Sequence, residues 1–423
     1  MSLKKRIFLF VSSFYIIFVT FPLFGHLIPI PIWIVNLFVF LSLFLIYPNA
    51  YLNKTFFWFF IYAIVLFLFV LLNKPLTIGI GTVTDSKKII IEYAFLLPTL
   101  SIFSILHYLR DSELIRKISF VGVFSIFASF LFIIPQIFSD SLILRNAYNL
   151  YATDAMITPG IPNYLIMHAY TLIVSPIIYG IKISPPPRKW ILFFSLIILL
   201  YVILNTYVTT SLMLVLAILV ISIVYSDNNR IRSFLIAFLS IFLLLILHLS
   251  GIFVQLFDFL IDFFEGTAVQ PKIEGFKYIY LFGDIEQSGG HITGRMNLHD
   301  MSWKAFSENF LIGGTSPVGG HSQLIDRLGG MGLVAFIPFI MMIFAQIKMV
   351  LKLITNSEQR LFYYLGLGVA FAILYQKGLF GQEGWLFMMV LLPGFIITFK
   401  SFDTSIKFKM KLKNDLFSGL RNH

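Results

Sequence analysis

Cysteine is absent from the 423 residues, which excludes disulfides, thiol chemistry and cysteine-ligated metal. Charge is scarce too: Asp, Glu, Lys and Arg make up 12% of the chain, against 58% hydrophobic and 17% aromatic residues. With a mean hydropathy of +0.90, that balance excludes a soluble domain of this length. Internal repeats are lacking, and so is a soluble second domain, so residues 1–423 read as one integral membrane unit. What the chain does have is a succession of apolar runs of the length a bilayer demands, roughly 20 residues per helix. These runs are too long and continuous for barrel strands of about 10 alternating residues.

The reading is all-α, a polytopic membrane bundle of about twelve helices. The spans fall near 7–24, 31–47, 56–72, 88–108, 118–138, 161–181, 190–207, 210–225, 233–250, 331–347, 361–377 and 384–399, bounded by Pro, Gly or charge clusters. Placing both termini in the cytoplasm puts most of the 31 lysines and arginines on the inner side. The net charge of +11 is then positive-inside bias and attraction to anionic headgroups of membrane lipids, and no nucleic acid is called for. MSLKKR before an apolar run mimics a signal peptide, but no small-residue cleavage site follows, so it reads as a retained first helix in the cytoplasmic membrane.

Most inner loops are short and basic. The outer segment 251–330 is different: it is too long for a connection and too short for an ordinary independent domain. Its start, IFVQLFDFLIDFFEG, spaces Gln255, Asp258, Asp262 and Glu265 along one face of a helix suited to the outer interface. Further on, Met301 to Leu311 reads as a helix, and His291, Arg295 and His299 fall on one helical face. A metal set of His291, His299, Asp300 and His321 matches no strong zinc spacing, and no metal or cofactor is assigned.

The stretch GGTSPVGGHSQLIDRLGGMG, Gly313 to Gly332, then puts seven glycines, a histidine, an aspartate and an arginine directly before an apolar run. Gly319 and Gly320 would let the backbone approach a ligand, Ser322 would cap the following helix, and the N–H groups at its start would favour an anion. The bland alternative is a flexible turn with His321 at the headgroup boundary. Arg327, beside Asp326, reads equally as a phosphate ligand or as half of a structural ion pair.

Gly294-Arg295, Trp303, the run Phe310-Leu311-Ile312-Gly313, and Gly320-His321-Ser322 with Asp326 and Gly332 together resemble the O-antigen polymerase and O-antigen ligase superfamily. The resemblance covers about 55 residues by motif and the whole chain by topology. It implies a GT-C-like membrane glycosyltransferase, active on the periplasmic or external side on glycans carried by undecaprenyl pyrophosphate. A flippase and a chain-length regulator of the same pathway are the implied partners. His321-Ser322 followed by Asp326 favours the polymerase branch. A Ser-Arg pair expected near the outer start of a mid-chain span is missing, because the matching turn reads Tyr207-Val208-Thr209-Thr210-Ser211-Leu212.

Such a transfer needs a base for the acceptor hydroxyl and cations for the departing pyrophosphate. His321 is the candidate base and Arg295 the candidate clamp, since a guanidinium grips phosphate oxygens two at a time. Arg145, Arg327 and Lys377 are further candidate cations, and Gly319, Gly320, Ser322, Asp326 and His299 the candidate substrate loop. Lys74, Lys87, Lys88 and Glu383 also lie outside, whereas Glu92, His168 and His248 fall within or at the ends of spans. A ligase acting on lipid A core would share the donor chemistry. A lipid-linked oligosaccharide transporter would carry charge along its spans and show repeat symmetry, and a channel would need polar stripes or carbonyl filters; neither pattern is visible.

Overall fold

A computed structural model describes residues 1–28, 30–72, 74, 86–140, 143–144, 164–206, 208–224, 252–267, 269–282, 290–354, 356–376 and 381–399. Every regular element among them is helical. Hydrocarbon surroundings dictate this, because only a helix pairs its own N–H and C=O groups within one segment.

The elements are α1 (Leu3–Thr20), α2 (Pro22–Leu27), α3 (Ile32–Ile46), α4 (Lys54–Leu71), α5 (Ser86–Leu109), α6 (Ser112–Ser139), α7 (Tyr164–Ile183), α8 (Pro186–Leu204), α9 (Thr209–Val224), α10 (Ile252–Phe263), α11 (Gln270–Phe282), α12 (Gly290–Glu308), α13 (Gln323–Leu351), α14 (Ser357–Gln376) and α15 (Gly381–Phe399). Six of them, α4, α6, α7, α8, α13 and α15, are long and apolar enough to cross a membrane. Shorter apolar helices occupy 32–46, 95–109 and 210–222. The span expected at 233–250 lies outside the described residues. The run expected at 7–24 is split at Phe21, whose extended backbone precedes Pro22, the first residue of α2; proline favours a first-turn position because it lacks the N–H that would go unpaired there.

Specific polar ties join the helices among the described residues. At one end, Asp111 caps α6 by accepting the N–H groups of Glu113 and Leu114 and receives Lys5 of α1 at 2.5 Å. Deeper in the bundle, Thr20 donates to Ser125 at 2.8 Å, Asn36 to Gln382 at 3.2 Å and Ser175 to the Phe362 carbonyl at 2.6 Å. Each of these three buried side chains thereby finds an acceptor away from water. Almost every residue of α15 is buried, and a π turn at Phe387–Leu391 presses Leu391 and Leu392 against Gly122 and Gly366, where any Cβ would sit 2.5 Å from the leucine methyls. Small residues at such contacts let helices approach closely.

The helix pair that positions the candidate site is α4 and α13, running antiparallel. Thr55 Oγ donates to Met349 Sδ at 3.3 Å at one end. At the other, Lys74 Nζ donates to the Gly330 carbonyl at 2.8 Å. A rise of about 1.5 Å per residue separates Met349 from Gly330 by roughly 28 Å, close to the hydrocarbon thickness of a bilayer, about 30 Å. Lys74 and Gly330 therefore mark one end of a helix pair long enough to cross a membrane, the turn side.

Candidate active site

α12 and the first part of α13 are joined by a turn over 309–322. The sequence reading carried the helix to Leu311, but it ends at Glu308 because Asn309 takes over the next two N–H groups, those of Leu311 and Ile312, each at 3.2 Å. Glu308 staples the turn, its carboxylate accepting the N–H groups of Thr315 and Ser316 at 3.0 and 3.1 Å and the Ser316 hydroxyl. These bonds hold the Glu308 carboxyl below its usual range.

The glycines serve a different purpose from the one read in the sequence. A Cβ on Gly319 would lie 2.0 Å from the Leu298 carbonyl oxygen, one on Gly314 2.3 Å from that of Ala305, and one on Gly329 2.4 Å from that of Ser302. The space that a ligand was expected to fill at Gly319 is occupied by the backbone of α12. Gly320 (φ +71°) supplies the left-handed residue that turns the chain into α13.

The helix start has an internal anion. Ser322 caps α13, as its sequence position predicts, accepting the Ile325 N–H at 3.2 Å. Asp326, 2% exposed, accepts the Ser322 N–H at 2.8 Å and the Ser302 hydroxyl at 2.6 Å, and the Ser302 oxygen accepts the Gly319 N–H at 2.9 Å. This Ser302–Asp326–Ser322 knot occupies donors that the sequence reading left open for an external phosphate.

Ten residues on, α13 breaks. Gly332 (φ 64°, ψ −173°) has a backbone no other residue type adopts readily, and the break strands two N–H groups and two carbonyls of the helical ladder. All four find partners. Leu333 and Val334 donate to the carbonyls of Phe310 and Leu311 at 2.9 and 3.0 Å, Gly314 donates to Gly329 at 3.0 Å, and Lys74 donates to Gly330. Lys74 also lies over the Phe69 ring, 5.0 Å from its centroid. Its half-buried position lowers its pKa from the ordinary 10.5 to about 8.

Arg327 and Asp326 are neighbours with separate partners. Adjacent helical side chains diverge by about 100°, and while Asp326 faces Ser302, Arg327 donates to the Tyr62 hydroxyl and lies 4.3 Å from the Phe339 ring centroid. Tyr62 is mid-way along α4. The guanidinium, 3% exposed at residue level, is thus directed from the turn inward along the bundle. Phe339 in turn meets Trp385 edge-on at 5.8 Å.

His321 is partly exposed beside the knot. His299 is partly exposed too, and meets Tyr375 of α14 edge-on, ring centroids 5.3 Å apart. Arg295 stands on α12 one turn before His299, and its side chain, like that of His291, lies outside the described residues. Arg145 and Lys377 lie outside them altogether, as do His248 and the side chains of Lys87, Lys88 and Glu92. Elsewhere in the bundle, buried His168 on α7 pairs through Nδ1 with Ser211 on α9 at 3.0 Å, and Thr210 donates to Gln376 at 3.0 Å. Glu383 is buried at the start of α15. Among the described residues no three His, Asp or Glu side chains converge on a common point.

The turn thus brings Gly319, Gly320, His321, Ser322, Asp326 and Arg327 together with Ser302 and Lys74. Ser302 and Tyr62 have no local sequence signature, since their partners stand 24 and 265 residues away. No family model matches the chain, and no curated protein matches it.

Proposed function

We propose that this chain is a polysaccharide polymerase, a GT-C-like membrane glycosyltransferase of about twelve spans, with both termini in the cytoplasm and its site on the outer side of the cytoplasmic membrane. The supporting observation is position: a turn tied to α12 and α13 by backbone and side-chain hydrogen bonds holds partly exposed His321 near one end of a helix pair long and apolar enough to cross a membrane. The pyrophosphate of a lipid-linked donor sits at that level.

In this reading the acceptor hydroxyl of the next lipid-linked repeat unit attacks the anomeric carbon of the growing glycan. His321 takes the hydroxyl proton, the new C–O bond forms, and the bond to pyrophosphate breaks. Undecaprenyl pyrophosphate leaves with the electron pair. Arg295 clamps the departing charge, assisted by Arg145 and Lys377. Arg327, bonded to Tyr62 inside the bundle, positions the half-helix that carries the turn. Transfer to lipid A core would use the same donor half-reaction, so the acceptor decides between polymerase and ligase.

The test is a glycan ladder from a strain lacking only this gene, complemented with wild type, Arg295→Ala or His321→Ala at matched expression. Single repeat units on the lipid A core, rescued to long chains by wild type but by neither variant, are the expected result. Full-length polymer stranded on undecaprenyl pyrophosphate would assign the ligase instead. Repeat units held inside the cell would assign a transporter.

A further inference from the structure

Three consecutive large apolar residues stand outward at the tip of the turn: Phe310, Leu311 and Ile312 are 57%, 50% and 41% exposed. In water such a cluster would be costly, since burying side chains of this size is worth about 1.5–3 kcal/mol each. Their backbone fixes their depth. The Phe310 and Leu311 carbonyls hold the Leu333 and Val334 N–H groups, so the tip lies alongside the first residues after the Gly332 break, at the end of the α4–α13 pair marked by Gly330 and Lys74.

From that point the exposed face of α13 continues into the membrane. Val334, Ile337, Met341 and Phe344 are all exposed and recur at spacings of three and four, one stripe of a helix. On a helix long and apolar enough to span, such a stripe faces acyl chains. The tip prolongs it without a polar interruption, because Leu311 is bonded to Val334, the stripe's first member. The nearest acid, Glu308, has its carboxylate turned to the turn's own N–H groups.

We infer that Phe310–Leu311–Ile312 is a membrane-inserted tip, seated among the lipid acyl chains of the leaflet on the turn side. Seated there, it fixes the height of the broken helix. The carbonyls that satisfy the break belong to the residues that enter the lipid, so membrane contact and the geometry around Gly332 are mechanically joined. This inference is independent of the proposed reaction and holds for any chemistry at the turn.

The absence of cysteine makes the test direct. Single-cysteine variants Leu311→Cys, Ile337→Cys and Ser307→Cys of the full chain are labelled with bimane and reconstituted in phosphatidylcholine vesicles. Quenching is measured with a nitroxide carried near the head of the acyl chain and with aqueous iodide. The Leu311 label is expected to lose emission to the lipid nitroxide as the Ile337 label does and to resist iodide, while the Ser307 label on exposed α12 does the reverse. Iodide quenching of the Leu311 label at the level of Ser307 would overturn the inference. So would protection from both quenchers together with Leu311–Leu311 cross-linking between copies, which would seat the tip on a second chain. Should Leu311→Cys fail to fold, Phe310→Cys and Ile312→Cys read the same depth.

Discussion

Lys74 and Gly330, separated by 256 residues in sequence, meet where α13 breaks: the lysine ammonium takes the carbonyl that the break leaves without its helical donor. The other three stranded groups are paired by backbone, so this is the only side-chain bond among the four. Lys74→Met strands that part-buried acceptor, so near pH 10, where the folded amine is neutral and its burial cost is relieved, it is expected to lower stability by about 1–3 kcal/mol. Thermal unfolding in detergent measures it.

The same lysine predicts a pH dependence. Its pKa is about 8 in the folded chain against an ordinary 10.5, so between these values the unfolded chain binds more protons and stability rises with pH. Below pH 8 both states are protonated and the burial cost is constant. The melting temperature of wild type relative to Lys74→Met should therefore be flat below pH 8 and climb towards 10.5. A difference that falls over that window would contradict the assignment.

Gly332→Ala combines a forbidden backbone with a Cβ placed 2.3 Å from the Gly313 nitrogen and 2.4 Å from the Leu311 oxygen. A cost above about 3 kcal/mol follows, seen as lost monodisperse protein in size-exclusion chromatography. Gly294→Ala is the control. It lies inside α12 with nothing within 4 Å of its Cβ position, and should stabilise by roughly 0.5–1 kcal/mol.

Asp326→Asn replaces one of two acceptor oxygens with a donor, so either the Ser302 hydroxyl or the Ser322 N–H loses its partner. The expected loss is about 2 kcal/mol, with Ser302→Ala costing about 1 kcal/mol. Because both act on one knot, the double variant should cost less than the sum. Additive losses in chemical denaturation would show the two to be independent.

Glu308 predicts an acid-side effect. Its carboxyl is held below the ordinary 4.5 chiefly by the Ser316 hydroxyl and the N–H groups of Ser316 and Thr315. A depressed carboxylate contributes stability above its unfolded pKa and loses it as pH falls through the folded value. Glu308→Gln should flatten the loss of stability below pH 4.5, while leaving the curve near neutrality parallel to wild type.

Part of this was legible in the sequence. The Ser322 cap, the helix in IFVQLFDFLIDFFEG and the all-helical class follow from local rules of capping, period and composition. The amphipathic helix α10 has its acids at the predicted spacing, but Asp258 is more than a wet face: it pairs with Lys277 of α11 at 2.5 Å, beneath Phe253 and Phe257 packed on Tyr280. The glycines stand out in the sequence, but a sequence shows that a Cβ is missing without showing what fills the space, which at Gly314, Gly319 and Gly329 is the backbone of α12. Asp326 and Arg327 looked like a pair because they are adjacent, and helix geometry sends neighbouring side chains to different faces. Ser302, Tyr62 and Lys74 found their roles through partners that only the fold brings near.

The bonds from Ser302 to Gly319 and Asp326 join residues 17 and 24 apart, whereas those of α13 to Lys74 and Tyr62 span 256 and 265 residues. Closing the shorter loop costs roughly 2 kcal/mol less entropy. During synthesis, the hairpin of α12 and the first part of α13 is thus free to assemble from its own emerging segment, then dock as a finished piece onto α4, which was made long before.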